Sequence, residues 1–142
     1  MIPLFQDDGP NLPPGIHECT LEEIELRFSA GEKRQRLCAT LREIADIARQ
    51  CGFLDIVIWG SFPTTKGDPK DLDLFITTLP DLDRDGLRVD CNDLLDHHGA
   101  KVRWGLDVLN CPNNAILYDV VLNGLAYDRY NNPRGLLRIR LS

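Results

Sequence analysis

The sequence predicts a small α/β (α+β) domain in which helices pack on a mixed β-sheet. Segment 54–59 is an apolar run of strand length, and segment 71–76 alternates polar and apolar residues as a half-buried strand does. Segment 32–50 instead repeats apolar residues every three or four positions, which is typical of an amphipathic helix. A chain of 142 residues is long enough for one domain with its own core, so we predict a single domain over 1–142.

Composition and charge narrow the classes of function. The formal net charge of −6 argues against a broad nucleic-acid surface, which needs clustered Lys and Arg, although a local basic groove remains open. No apolar run reaches about 18 residues, so we expect no membrane association. The five Cys form no C-x-x-C pair, and the N-terminus shows no signal-peptide pattern. We therefore expect a cytoplasmic protein with reduced thiols and no disulfide framework.

The N-terminal part predicts an extended arm followed by two helices. Residues 1–19 are rich in Pro and Gly, so we expect no regular structure there, whether the arm is frayed or pinned to the domain surface. Thr20-Leu21-Glu22-Glu23 is a capping-box pattern, which predicts a short helix ending near Ser29. The helix over 32–50 should end at Gly52, which suits a C-cap.

The C-terminal part predicts a helix, a strand, a helix and a final strand. Asp81–Gly86 resembles the start of a calcium-binding loop, but Asn92 stands where that loop needs Glu. We expect instead that Asp81 or Asp83 caps a helix ending at His97-His98.

Alternation of apolar residues over 101–109 predicts a third central strand that carries Asp107. A helix over 113–130 and a strand over 136–141 should follow. We expect that last strand at an edge of the sheet, with Arg138 and Arg140 outward in solvent or meeting a phosphate or a partner chain.

The chemistry is concentrated in segment 59–74. Asp71 and Asp73 share one face of a strand, where two carboxylates about 5–7 Å apart repel by roughly 3 kcal/mol. A hard cation such as Mg²⁺ would convert this repulsion into binding. The preceding Gly60-Ser61 turn can offer backbone N–H groups and a hydroxyl to a phosphate. This combination predicts phosphoryl or nucleotidyl transfer, and the competing interpretation is a connection between strands with solvent-exposed Asp.

Segment 59–74 resembles the signature of the DNA polymerase β-like nucleotidyltransferase superfamily, in its minimal form. Trp59-Gly60-Ser61, a nine-residue spacer and Asp71-Leu72-Asp73-Leu74 fill every position of that signature. Asp107 matches the third acid that the superfamily carries on a later strand, although a solvent-facing acid is the alternative. Segment 12–18 also looks like the opening of a little-characterised bacterial family of nucleotidyltransferase-like proteins.

The resemblance implies transfer of a nucleoside monophosphate from a nucleoside triphosphate (NTP) to a hydroxyl of a protein, RNA or small molecule. It implies two Mg²⁺ ions, with Mn²⁺ as a substitute. The implied catalytic and metal-binding residues are Asp71, Asp73 and Asp107, and the implied nucleotide-binding residues are Gly60 and Ser61. Lys66, in the loop, could stabilise the leaving pyrophosphate, although the signature itself does not require a Lys there.

Little chain remains for a separate acceptor domain. The acceptor would then bind in a shallow cleft, on a second copy of the chain, or on a small helical partner protein. Minimal members of the superfamily often pair with a second small protein, so the alternative is a non-catalytic binding module, such as a toxin–antitoxin component. The acceptor, the preferred base and the oligomeric state stay open.

Overall fold

The chain folds into a mixed five-stranded sheet with helices packed on it, as the sequence predicts. The computed structural model describes residues 1–6, 9–67, 69–112 and 114–141. The strands in that part of the chain are β1 (Gly15–Glu18), β2 (Asp55–Trp59), β3 (Asp73–Thr78), β4 (Val108–Pro112) and β5 (Gly135–Arg140). The helices are α1 (Leu21–Phe28), α2 (Glu32–Gln50), α3 (Val89–Leu95), α4 (His97–Trp104) and α5 (Ala115–Leu125), with a 3₁₀ turn at Arg84–Gly86.

The sheet has the strand order β1-β5-β2-β3-β4. Strand β2 lies at its centre and runs antiparallel to both β3 and β5. The outer pairs, β3 with β4 and β5 with β1, are parallel. The point where β2 turns toward β3 therefore lies in the middle of the sheet, where neighbouring strands hold it on both sides.

Each face of the sheet has its own apolar cluster, because strand side chains alternate between faces. The larger cluster joins Ile56, Ile58, Leu74 and Ile76 to residues of α1–α4. The smaller cluster joins Val57 and Phe75 to α5 and β5 residues such as Leu122, Leu125 and Leu136. Asp73 is two positions before Phe75, so the alternation puts its carboxylate on the face of the smaller cluster.

The first two helices begin and end where local sequence signals place them. Thr20 Oγ1 accepts a hydrogen bond from Glu23 N at 3.2 Å, and the Glu23 carboxylate accepts one from Thr20 N at 3.2 Å. This reciprocal pair is the predicted capping box. Gly52 follows α2 with φ of 77°, a left-handed conformation that only glycine adopts at little cost.

The predicted strand over 101–109 is wrong for most of its length. Asp96 Oδ2 accepts a hydrogen bond from Gly99 N at 3.2 Å and thereby starts α4, so the His pair begins this helix instead of ending the previous one. Gly105, with φ of 71°, ends α4, and β4 begins only at Val108. The alternation over 101–104 was a chance pattern within one helical turn.

The predicted capping of α3 by Asp81 or Asp83 is also wrong. Helix α3 begins after Arg88, which makes no side-chain capping bond. Asp83 Oδ1 instead accepts a hydrogen bond from Asp85 N at 3.0 Å in the preceding 3₁₀ turn.

Two predictions about the edges of the sheet are corrected. Part of the N-terminal arm forms β1, so segment 1–19 contains regular structure. Because β1 pairs with β5, the last strand is an interior strand and not an edge. Arg138 and Arg140 form ion pairs with Glu18 of β1 at 2.6 and 2.7 Å, so they hold the arm on the sheet.

The cysteines also differ from the prediction of reduced thiols. Cys51, at the end of α2, forms a disulfide with Cys91 of α3, and their Cα atoms are 6.0 Å apart. The two residues lie far apart in sequence, so only the packing of α3 against the end of α2 reveals the pair. Within the described part of the chain, none of the helices has the length and apolar character needed to cross a membrane.

Candidate functional site

The Gly60-Ser61 turn lies directly against the start of β3. Trp59, the last residue of β2, pairs with Asp73, the first residue of β3. Gly60 has φ of 80°, and a Cβ atom at this position would collide with the Asp73 carboxylate. Glycine is therefore required both for its backbone conformation and for the space that the acid occupies.

The three candidate acids come together at the start of β3 and β4. Leu72 and Leu74 are fully buried, whereas Asp71 is exposed and Asp73 is partly buried, as the alternation predicts. Leu74 pairs with Val108, and Leu74 N donates to Asp107 O at 3.2 Å, so Asp107 lies just before β4 and beside the start of β3.

The carboxyl group of Asp73 has a raised pKa. Its partial burial, together with the negative charges of Asp107 and Asp71, raises the pKa of Asp73 from 3.8 to about 6. Arg134 and Lys101 act in the opposite direction on this pKa. A bound cation would remove the cost of ionising Asp73, so the carboxylate is suited to metal binding.

Asp107 has two basic neighbours, Lys101 and His97, that the sequence did not indicate. Lys101 Nζ lies 3.6 Å from Asp107 Oδ1, and His97 Nε2 lies 3.9 Å from the same oxygen. Both residues belong to α4, and only Lys101 lies in the part of that helix that was predicted as a strand. Asp107 precedes β4 and is partly exposed, so it is not the isolated acid within an apolar strand that was expected.

A cavity of about 760 Å³ opens beside the acid pair. The cavity is lined by the Gly60-Ser61 turn and by the loop after it, residues 62–70, which we call the signature loop and which includes Lys66. Asp71 and Asp73 also line it. Four residues of the segment that follows α5 also line it: Asp128, Arg129, Tyr130 and Arg134. A volume of this size is typical of sites for small molecules and nucleotides.

Arg134 is a candidate site residue that sequence reasoning missed. Its Nε donates to Leu125 O at 2.7 Å, and its guanidinium carbon lies 5.5 Å from the centre of a Trp59 ring. Burial lowers the pKa of Arg134, although the charges of Asp128 and Asp73 act in the opposite direction. The sequence offered only the Asn-Asn-Pro run before it, which indicated a helix end.

The N-terminal arm also contributes a wall of the cavity. Thr65 N donates to Pro10 O at 3.0 Å, and Asn11 forms a β-bridge with Thr64 of the signature loop. Gly135 N donates to Leu12 O at 3.0 Å, so the arm joins the loop to the start of β5. The arm is therefore part of the site and not a frayed tail.

The donor set fits a magnesium ion held jointly by protein and phosphate. Within the described residues, no group of three or more His, Cys, Asp or Glu side chains is arranged to hold a metal. Mg²⁺ commonly uses one or two carboxylates and takes its remaining ligands from water and substrate phosphates. Asp71 and Asp73, which line the same cavity as the Gly-Ser turn, supply that minimum.

One protein-family model matches nearly the whole chain, including the residues of this site. The model of a family of unknown function, DUF6932, matches residues 3–140. The chain belongs to this family. The matched range of this DUF6932 member contains the arm, the signature segment, Asp107 and Arg134. No curated protein and no solved structure matches the chain at a significant level.

Proposed function

We propose that this DUF6932 protein is a metal-dependent nucleotidyltransferase that moves a nucleoside monophosphate from an NTP to a hydroxyl group. One observation carries the proposal: the glycine turn after β2 is packed against Asp73, and both face the same cavity. The turn can bind phosphate and the acids can bind a cation, so the two halves of the chemistry meet in one place.

The triphosphate is held by the loop side of the cavity. Gly60 and Ser61 offer backbone N–H groups and a hydroxyl to the β- and γ-phosphates. Lys66 and Lys70 line the same cavity and attract the anion, and Lys66 faces the pyrophosphate as it leaves. Arg134 lines the same cavity and has guanidinium donors beyond the Nε that binds Leu125 O.

The acid side holds the metal. Asp71 and Asp73 would bind two Mg²⁺ ions, or Mn²⁺ in their place, and Asp107 would complete the ligands of one ion. When bound, the metal neutralises phosphate charge and lowers the pKa of the attacking hydroxyl. Asp107 lies beside Asp73, where its carboxylate can accept the proton of that hydroxyl once Lys101 moves aside.

The acceptor is a protein, an RNA or a small molecule, bound where the cavity opens to solvent. A second copy of the chain or a small helical partner protein would complete that side. The use of NTP and Mg²⁺ favours the cytoplasm, where thiols are mostly reduced, so the Cys51–Cys91 disulfide would form there only on oxidation.

A second candidate function is a non-catalytic binding module with this fold, such as a toxin–antitoxin component. The ion pair of Asp107 with Lys101 favours it, because a carboxylate that already has a cationic partner has less need of a metal. Nucleotidyl transfer by the protein, alone or with a partner, would contradict this candidate.

Calorimetric titration with each NTP in the presence of Mg²⁺ tests the metal and nucleotide site. We expect heat of binding in the wild type and little in Asp73→Ala. Asp46→Ala is the control, because Asp46 is an exposed acid on α2 outside the cavity. Equal binding by wild type and Asp73→Ala would contradict the metal role of Asp73.

A further inference from the structure

Arg34 is a buried arginine whose side-chain hydrogen bonds, among the described residues, go to the signature loop. Only 4% of the residue is exposed, and it points inward from the first turn of α2. Its Nη1 donates to Phe62 O at 2.8 Å and its Nη2 donates to Thr64 O at 3.1 Å. Nη2 also donates to Lys66 O. One side chain thus holds three alternate carbonyl groups of the loop.

The surroundings of Arg34 make it costly to bury. Its guanidinium carbon lies 5.7 Å from the ring centre of Phe28 and 5.2 Å from that of Phe62. Among the described residues, no carboxylate forms a salt bridge with it, and burial lowers the pKa of Arg34. In that part of the chain, neutral carbonyls and aromatic rings surround this buried cation, which is an expensive environment for a charge, so we expect a specific role for Arg34.

Hydrogen bonds continue from these carbonyls to the cavity. Thr64 Oγ1 donates to Ser61 O at 2.6 Å, and Lys66 N donates to Thr64 Oγ1 at 3.1 Å. Ser61, Thr64 and Lys66 all line the cavity. Arg34 does not line it, so Arg34 can act on a ligand there only through the shape of the loop and through its charge.

We propose that Arg34 is a positioning residue that holds loop 61–66 in the conformation that binds a polyphosphate. The name of the ligand rests on the proposed function, whereas the control of the loop rests on the hydrogen bonds alone. By turning alternate carbonyls toward α2, Arg34 keeps these negative dipoles away from the phosphates. Its positive charge lies behind the loop and is partly compensated when an anion binds in front.

Inorganic tripolyphosphate is the probe, because it carries the phosphate chain without base or sugar. Its affinity is measured by calorimetry for the wild type, Arg34→Met and Arg34→Lys. Met keeps the apolar stem between the rings and removes every donor, whereas Lys keeps the charge with fewer directed donors. Arg36→Met is the matched control, since Arg36 is an exposed arginine two positions later on α2.

We expect Arg34→Met to bind tripolyphosphate at least about 10-fold more weakly, which is a loss of about 1.4 kcal/mol. Arg34→Lys should fall between it and the wild type, and Arg36→Met should bind like the wild type. Hydrogen exchange should accelerate at the amides of 61–66 in Arg34→Met but not in β5, a local effect that general destabilisation would not produce.

Two outcomes overturn the inference: affinity within twofold of the wild type in a folded Arg34→Met, or unchanged exchange of the loop amides. If Arg34→Met does not fold, Arg34→Lys decides the question by the same two measurements. Wild-type protein that binds tripolyphosphate but transfers no nucleotide refutes the proposed function and leaves this inference standing. Wild-type protein that binds neither tripolyphosphate nor NTP refutes both.

Discussion

Replacing Asp73 by Asn should stabilise the protein in the absence of metal, and the gain should depend on pH. Asn has nearly the shape of Asp, so the packing against Gly60 is kept while the charge is removed. Burial and the neighbouring acids raise the pKa of Asp73 from 3.8 to about 6. At about 1.4 kcal/mol per pKa unit, the ionised carboxylate costs the folded state at most about 3 kcal/mol. Because solvent screens a partly exposed group, we expect a gain of about 1–3 kcal/mol.

The sign of the pH dependence follows from the raised pKa. Above pH 6, Asp73 is ionised in both the folded and the unfolded states, so the full cost is present and the gain from Asn is greatest. As the pH falls from 6 to 3.8, Asp73 takes up a proton in the folded state while it is still ionised in the unfolded state, so the cost of the charge and the gain from Asn both shrink. Below 3.8 both states are protonated and the two proteins should be equally stable.

Thermal melts of both proteins at pH 8, 6 and 4 in EDTA measure this effect. The melting temperature of Asp73→Asn should exceed that of the wild type by about 3–12 °C at pH 8 and converge with it at pH 4. Asp46→Asn is the control, because Asp46 is an exposed acid on α2 outside the cavity, and its substitution should change stability by less than about 0.5 kcal/mol. A lower melting temperature for Asp73→Asn than for the wild type at pH 8, or an increase that does not depend on pH, would show that the charge of Asp73 does not destabilise the folded state.

Four further predictions concern the Gly60 turn, Arg134, Asp107 and the disulfide. Gly60→Ala should lower the free energy of unfolding, measured in urea, by about 2 kcal/mol or more, because φ is positive at this position and a Cβ atom would collide with Asp73. An unchanged free energy of unfolding would contradict the close packing of Gly60 on Asp73. Arg134→Met should weaken NTP affinity about 10-fold in calorimetry, and unchanged affinity would remove Arg134 from the site. Asp107→Asn should abolish transfer with NTP affinity largely intact, whereas undiminished transfer would exclude Asp107. Reduction of the Cys51–Cys91 disulfide, which spans 40 residues, should lower stability by up to about 4 kcal/mol by the chain-entropy estimate; equal melts with and without reductant would show that the bond is absent.

The parts of the fold that depend on local signals could be predicted from the sequence. The Thr20 capping box, the apolar period of α2 and the central strands were found because each signal lies within a few residues of the element it specifies. The acid pair was located for the same reason, since alternation alone sends Leu72 and Leu74 into the core.

The errors came from contacts between distant segments. Strand β1 forms only because residues 15–18 pair with β5, which lies more than a hundred residues later in the chain. The strand predicted over 101–109 failed because four alternating residues do not distinguish one helical turn from a strand, whereas Asp96 and Gly105 fix the ends of α4. Arg34 and Arg134 showed no pattern at all, since their roles depend on carbonyl groups supplied by the tertiary fold.

Nucleotidyl transfer by this protein is tested most directly with NTP that is labelled in turn at two of its phosphates. The protein is incubated with Mg²⁺ and each NTP, labelled at either the α- or the γ-phosphate, together with protein, RNA and small-molecule acceptors. We predict that the α-label becomes attached to an acceptor while the γ-label leaves as pyrophosphate. Asp73→Asn should abolish both events. Absence of α-label transfer with every NTP and acceptor, or transfer of the γ-label instead, would contradict nucleotidyl transfer.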